Sequence, residues 1–354
     1  TARPSSVSRR SPDPRVTGSL PTAPAVTVNS TNPTLDMATS DMADSGLRLQ
    51  DIPLLLVRCM IAVYYTIYLS IQQIYRFFYP PPGKSLKEKH VLITGAGGAL
   101  GRELALCFAR EGCRVTCVDV NLPECEATVA LVSKISERPA RCYPLDVTDR
   151  EAVAAFAKLL ELEAGPLDIL VNNAGIVQAG GLLDITDQQI SKIIDVNVMA
   201  HFWTIRAFLP TMLARNTGHV VAISSAAALA VASNIAPYTA SKAAVSGLMG
   251  CLREELRKLQ SAVYCTTVQP FFLAPPKDKK HWEVKSVLPD ITASSVAAST
   301  VDAVKHNTVT LTIPTYLFFI MYLVRFVPAA ASDMWRDAFA ANIDSVNTPK
   351  VKSN

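Results

Sequence analysis

The sequence predicts a doubly wound α/β fold, a seven-stranded parallel sheet with helices on both faces. Three observations carry this. Short β-branched runs begin near residues 90, 114, 140, 168, 219, 263 and 309 and alternate with stretches of helical periodicity. The first run breaks into a glycine-rich turn that opens a helix. Polar residues then recur at the ends of successive strands, which right-handed crossovers bring to one edge of a parallel sheet.

The first strand is His90-Val-Leu-Ile-Thr94, an apolar run of the kind buried in a parallel sheet. Gly95-Ala96-Gly97-Gly98-Ala99-Leu100-Gly101 follows, and Arg102 to Arg110 has helical periodicity. Strand, glycine turn and helix in that order form a dinucleotide-binding context. Glycines let the backbone approach a pyrophosphate, and the helix N-terminus supplies amide donors and positive potential. Thr94, Gly95, Gly97, Gly98, Leu100 and Gly101 are therefore candidate cofactor contacts.

The second strand, Arg114 to Val118, ends at Asp119. A carboxylate there accepts both ribose hydroxyls of NAD and repels the 2′-phosphate of NADP. Val120 and Asn121 come next, with no cation to compensate, so the sequence favours NAD over NADP. A third strand ends at Leu145-Asp146-Val147, where Asp146 either meets the adenine or caps the following helix. A fourth, Asp168 to Asn172, runs into Asn173-Ala174-Gly175, whose amides suit the floor of a cofactor site. Asp195-Val196-Asn197 lies in a helical pattern reaching about Leu213, and apolar neighbours on both sides give Asn197 an internal role.

Tyr238 and Lys242 are spaced Tyr-x-x-x-Lys, with Ser225 thirteen residues upstream of the tyrosine. Residues four apart share a helical face, so phenol and ammonium can enter one pocket. At about 4 Å and an effective dielectric near 20, the ammonium favours phenolate by roughly 4 kcal/mol. A tyrosine near 10 then falls toward ~7, where it serves as general base for an alcohol proton.

Taken together, the Thr94–Gly101 turn, Asp119, Asp146, Asn172-Asn173-Ala174-Gly175, Asn197, Ser225 and Tyr238/Lys242 resemble the short-chain dehydrogenase/reductase family over residues 88 to about 314. Within it the chain is most similar to the membrane-bound retinol and 17-beta-hydroxysteroid dehydrogenase branch. The resemblance implies a Rossmann-type sheet and a catalytic tetrad. In it Tyr238 is the acid/base, and Lys242 lowers its pKa and binds the nicotinamide ribose. Ser225 orients the substrate oxygen, and Asn197 holds a relay water. Val147, Asn173, Ala174, Gly175 and Pro270 join the cofactor contacts. Helices around 197–214 and 237–258 become candidate faces of a homodimer. Three positions depart from the family pattern: Ala99 replaces a turn glycine, Phe271 follows Pro270 in place of glycine, and Pro275 stands where a threonine is common. They motivate a competing reading, a weakly active lipid-surface scaffold, and an NADPH-dependent carbonyl reductase is a third.

At 354 residues with 49% apolar content, one α/β domain of about 250 residues with appendages fits. A net charge of +4 without a dense basic stripe argues against nucleic acid. Eight cysteines without a C-x-x-C pair read as reduced and buried, and the five scattered histidines suggest no metal site.

The expected domains are a disordered Ser/Thr/Pro/Ala-rich tail over 1–46, a hydrophobic membrane segment and Pro-rich linker over 47–83, the catalytic domain over 84–314, and an apolar, membrane-associated tail over 315–354. The chain opens on Thr1, and Met37 or Met42 is the candidate native start. The charge-free run Cys59 to Tyr75 is seventeen residues long, close to the ~20 a span needs, but its polar side also suits an interfacial helix. Arg76, Lys84, Lys87 and Lys89 follow it while Asp41, Asp44 and Asp51 precede it. If the segment spans, that bias places the catalytic domain in the cytosol; the expected location is an endoplasmic reticulum membrane or, alternatively, a lipid droplet. The loop Phe271 to Pro289, rich in lysine, reads as either solvated or a substrate lid. The expected substrate is a lipophilic alcohol, or the corresponding ketone or aldehyde, of the retinoid, steroid or fatty-alcohol kind.

Overall fold

β1 (His90–Thr94) is buried along its whole length, as a strand covered on both faces must be. The computed structural model describes residues 52–79, 81–138, 140–273, 282–285, 291–328, 330–334 and 342–345. The chain divides at Pro80 into two units.

The first unit contributes α1 (Ile52–Phe78), a 27-residue helix about 40 Å long. Its stretch Ile52–Gln72 is long and apolar enough to cross a membrane, and its large apolar side chains are exposed along that stretch. The hydroxyls of Thr66 and Ser70 donate to carbonyls one turn back, and Gln72 donates to the Tyr68 hydroxyl. Polar groups satisfied within the helix suit a lipid surrounding.

In the second unit seven parallel strands take the order β3-β2-β1-β4-β5-β6-β8. They are β1, β2 (Arg114–Asp119), β3 (Arg141–Pro144), β4 (Ile169–Asn172), β5 (Gly218–Ile223), β6 (Val263–Pro270) and β8 (Thr310–Ile313). The predicted sheet is present. The order reverses between β1 and β4, which opens a crevice at their carboxyl ends. One face is covered by α2 (Ala99–Arg110), α3 (Leu122–Val132) and α8 (Ala293–Lys305), with Leu104, Phe108, Val296 and Val304 in its core. The other face is covered by α4 (Arg150–Ala164), α6 (Ala200–Ala214) and α7 (Ala236–Lys258), with Phe156, Leu160, Phe208, Met212 and Met249. Truncating a fully buried side chain such as Phe108 to Ala costs about 3–5 kcal/mol.

Several elements differ from the sequence expectation. β3 stops at Pro144 because the Asp146 carboxylate accepts from Thr148 N and Oγ1, turning the backbone off the ladder. The helical pattern around Asn197 starts earlier, at α5 (Asp187–Ile194), capped by a reciprocal Thr186–Gln189 box. It passes through a π-turn, Asp195–Met199, before α6. β7 (Trp282–Lys285), within the expected loop, pairs antiparallel with β9 (Asn342–Ser345) in the expected tail. Long-range pairing of two short segments leaves no periodic trace. Cys125 on α3 and Cys142 on β3 form a disulfide, 6.1 Å apart at Cα, so the reading of all eight cysteines as reduced is corrected. The helix packs directly over the neighbouring strand, a tertiary proximity that cysteine spacing does not reveal.

The apolar tail gives α9 (Tyr316–Leu323), which buries Leu317 and exposes Phe319 and Leu323. At the opposite end of the sheet from the crevice, Lys84 anchors the segment entering the catalytic unit. Its ammonium donates to His219 Nδ1 at 3.0 Å and to Asn307 Oδ1 at 2.7 Å. Residues 1–46, Pro275 and the loop lysines 277, 279 and 280 lie outside the described residues.

Candidate functional site

The crevice at the β1–β4 switch point is a cleft of about 1170 Å³. Its first wall is backbone. Gly95 sits at φ +66°, and a Cβ there would come within 2.8 Å of Ala174 Cα. At Gly101 a Cβ would lie 2.2 Å from Gly95 O. Arg102 N is the first in α2 to bond back, to Gly98 O, so the preceding amides of Ala99, Leu100 and Gly101 have no intrahelical acceptor. Ala99 occupies the first position of α2, is exposed and borders the cleft.

Two hydrogen-bond knots hold this wall. Thr94 does not line the cleft. Its hydroxyl accepts from Asn173 N and Ala174 N, both at 3.0 Å, while Asn173 Nδ2 donates to Thr94 O and Gly95 O. Gly97 is also off the lining, and its amide donates to Asp119 Oδ2 at 2.9 Å. Asp119 Oδ1 accepts from Asn121 N at 2.8 Å. Asp119, Asp146, Val147, Asn173, Ala174 and Gly175 all border the cleft.

The second wall is made of side chains. Ser225, at the end of β5, accepts from Ala227 N and lies 3.5 Å from Pro270 O. Tyr238 and Lys242 project from the first turns of α7, and all three residues border the same cleft as the glycine turn. Lys242 is 4% exposed, and its ammonium donates to Ile223 O at 2.9 Å. Burial holds its pKa down at about 8.

Tyr238 departs from expectation. Its phenol is pushed above the usual tyrosine value by burial, with the Ser225 hydroxyl pulling the other way. Lys242 Nζ sits 5.7 Å from the centre of the Tyr238 ring while donating to the Ile223 carbonyl. The loss of hydration outweighs the Ser225 hydrogen bond.

Asn197 is fully buried behind this wall, on the π-turn. Its Oδ1 accepts from Ile176 N, and its Nδ2 donates to Ile176 O and Ser241 Oγ. π-turns inside helices recur at functional sites, and this one aims Asn197 at the loop leaving β4.

Sequence reasoning missed the α5 side of the cleft, which contributes Asp187, Ser191 and Lys192. The amphipathic pattern after the Thr186 cap gave the signal, but a polar helical face reads equally as solvated. Phe272 and Leu273, at the start of the loop expected to be either solvated or a substrate lid, border the cleft beside Phe271. Phe271 N donates to Ile313 O, and its ring meets that of Phe272 edge-on at 4.9 Å.

The arrangement fits a dinucleotide. Free helix-terminal amides face a cleft whose backbone leaves no room for a Cβ, which suits a pyrophosphate, and a carboxylate at its edge suits ribose hydroxyls.

The family model described as short chain dehydrogenase matches residues 89–285, more than half the chain. Human epidermal retinol dehydrogenase 2 is 36% identical over 251 residues, covering 70% of this chain and 81% of the relative. Human estradiol 17-beta-dehydrogenase 11 is 32% identical, covering 80% and 94%. Human 17-beta-hydroxysteroid dehydrogenase 13 is 30% identical, covering 81% and 95%. Among solved structures, a short chain dehydrogenase/reductase from Burkholderia phymatum in complex with NAD shares the fold, with a TM-score of 0.62 and 24% identity over 68% of this chain and 94% of that one. A metagenomic short-chain oxidoreductase in complex with NADP has a TM-score of 0.55 and 28% identity, covering 65% and 96%.

Proposed function

The chain belongs to the short-chain dehydrogenase family, on the side of the retinol and 17-beta-hydroxysteroid dehydrogenases, and we propose that it is a membrane-bound, NAD-dependent enzyme that oxidises a lipophilic alcohol. The observation that carries the reading is the convergence of Ser225, Tyr238 and Lys242 on the cleft that the glycine turn opens.

A bound nicotinamide dinucleotide supplies the hydride acceptor. Tyr238 takes the hydroxyl proton of the alcohol, and Ser225 hydrogen-bonds the substrate oxygen. Lys242, fixed by Ile223 O, presents its remaining N–H donors to the cleft and supports phenolate as the proton leaves. Asn197 braces the Ile176 loop that carries Gly175, and places a polar group next to the ammonium. Asp119 favours NAD by accepting ribose hydroxyls where a 2′-phosphate would meet a carboxylate. Phe271, Phe272 and Leu273 give the catalytic wall an apolar rim suited to a retinoid, steroid or fatty alcohol.

The exposed apolar α1 supports membrane attachment, and the cations that follow it support a cytosolic catalytic domain at the endoplasmic reticulum. A homodimer through α6 and α7 belongs to the same reading. The test is detergent-solubilised protein assayed with NAD and NADP against a panel of retinoid, steroid and fatty alcohols, following reduced-cofactor absorbance. NAD-dependent turnover is expected. A clear NADP preference would overturn the Asp119 argument, and absence of calorimetric NAD binding would replace the enzyme by a scaffold. Protease protection in microsomes and droplet fractionation check the location; a lumenal catalytic domain or a droplet-bound protein would contradict it.

A further inference from the structure

Behind the catalytic wall lies a second polar layer that the mechanism above leaves unused. His201, on the first turn of α6, is 2% exposed, and neither ring nitrogen has a hydrogen-bond partner within the protein. Asn172, the last residue of β4, is equally buried, and its Nδ2 is likewise unpartnered. Both flank Thr204, whose hydroxyl lies 2.8 Å from Asn172 Oδ1 and 3.2 Å from the backbone carbonyl of His201, one helical turn before it. Asn172 pairs with Ala222 in β5, next to Ile223, whose carbonyl holds the Lys242 ammonium. His201 is also within reach of that charge, which together with burial keeps the imidazole neutral at ordinary pH.

A neutral imidazole offers one donor and one acceptor, and an amide nitrogen offers donors. Leaving each buried and unpaired is destabilising, a cost that an apolar side chain at 201 would avoid. Buried polar groups gathered in this way are satisfied by ordered water that finds two to four partners. We propose that His201 and Asn172 hold an internal water behind Lys242, and that His201 is thereby a positioning residue for the catalytic ammonium. The water accepts from Asn172 Nδ2 and donates to the bare nitrogen of His201. The ring acts through hydrogen bonds alone and stores no proton.

The inference rests on the dehydrogenase reading only for its effect on turnover, so the test has two arms. The first is a crystal structure of the full chain in detergent at a resolution that shows waters. Density is expected within hydrogen-bond distance of Asn172 Nδ2 and a His201 ring nitrogen; a dry pocket overturns the proposal. The second compares His201→Leu with His201→Gln, which keeps a donor and an acceptor. His201→Leu should lower kcat about tenfold, the scale of a lost hydrogen bond near a charge, with NAD affinity unchanged. Its kcat–pH profile should be displaced toward lower pH, since the ammonium loses solvation, and His201→Gln should restore both. A His201→Leu enzyme with unaltered kcat and profile, or a glutamine variant no better than leucine, overturns it. If wild-type protein turns over no alcohol, the dehydrogenase reading fails by itself. NMR titration of Lys242 in labelled wild-type and His201→Gln protein then replaces kinetics, and a large downward shift in the glutamine variant counts against the proposal.

Discussion

The two walls of the cleft are built by opposite means. The glycine-turn wall is a backbone surface in which Gly95, Gly101 and the Thr94–Asn173 knot fix amides by leaving no room for side chains. The catalytic wall is a side-chain surface in which Tyr238 and Lys242 are forced out of water and their proton affinities move in opposite directions. Steric exclusion organises the first and desolvation the second. The first wall should therefore fail through binding and stability, and the second, at Tyr238, through turnover.

The largest effect tests the second wall. Tyr238→Phe should reduce alcohol oxidation by about 10²–10⁴-fold, the range of a general acid–base group, with calorimetric NAD affinity unchanged. A phenylalanine variant that lost NAD binding instead would mean the walls are not separable. The first wall is probed by Gly101→Ala. Its methyl would meet Gly95 O, so we expect a loss of about 1–3 kcal/mol in stability, seen as a lower Tm, with weaker NAD binding. An alanine variant that binds NAD normally and melts like wild type would break the steric account. Asp119→Ala is milder. Removing the carboxylate that orders Gly97 and Asn121 should weaken NAD about tenfold, the scale of a charge-assisted hydrogen bond, and raise NADP use relative to NAD. Parallel cofactor titrations measure this, and an unchanged NAD/NADP ratio would remove Asp119 from selectivity.

A separate effect concerns two buried histidines, one on α6 and one on β5. His201 and His219 are held at about 3 by burial, against 6.5 when unfolded. The unfolded chain therefore binds more protons below pH 6.5, and stability present above that value is lost as pH falls toward 3. Each ring contributes about 1.4 kcal/mol per pH unit well inside that window. Denaturant melts between pH 7.5 and 5 should follow that decline, and His201→Gln should flatten it. An equal slope in the variant would show that the ring is solvated in the folded protein.

This contrast explains what could be read from the chain. The strand runs and the Thr94–Gly101 turn were legible because backbone constraints write themselves as residue types: a position that admits no Cβ is a glycine, and a strand covered on both faces is an unbroken apolar run. The residues of the tetrad were legible through resemblance, but their electrostatics were not. The sign of the Tyr238 shift depends on how much water the fold removes against the Ser225 hydrogen bond, and the first of these is not a local property. The Cys125–Cys142 bond, the β7–β9 pair and the Lys84–His219 clamp escaped for a related reason. Each joins segments whose meeting is decided by packing elsewhere, and none has a periodic or motif signature.

The π-turn at Asp195–Met199 carries a consequence for how the site is aimed. Each residue in such a turn advances the helix by less than the usual angle, and over five residues the shortfall is roughly a quarter of a revolution. Everything from Ala200 to Ala214 is therefore out of phase with what a continuous α-helix from Asp187 would give. That offset keeps His201, Thr204, Phe208 and Met212 in line with Ile193, all pointing inward. The orientation of the layer behind Lys242 is thus a matter of winding as much as of contacts. Deleting one residue from the turn would give a more regular helix and rotate the whole row away from the sheet, an outcome that no single side-chain replacement reproduces.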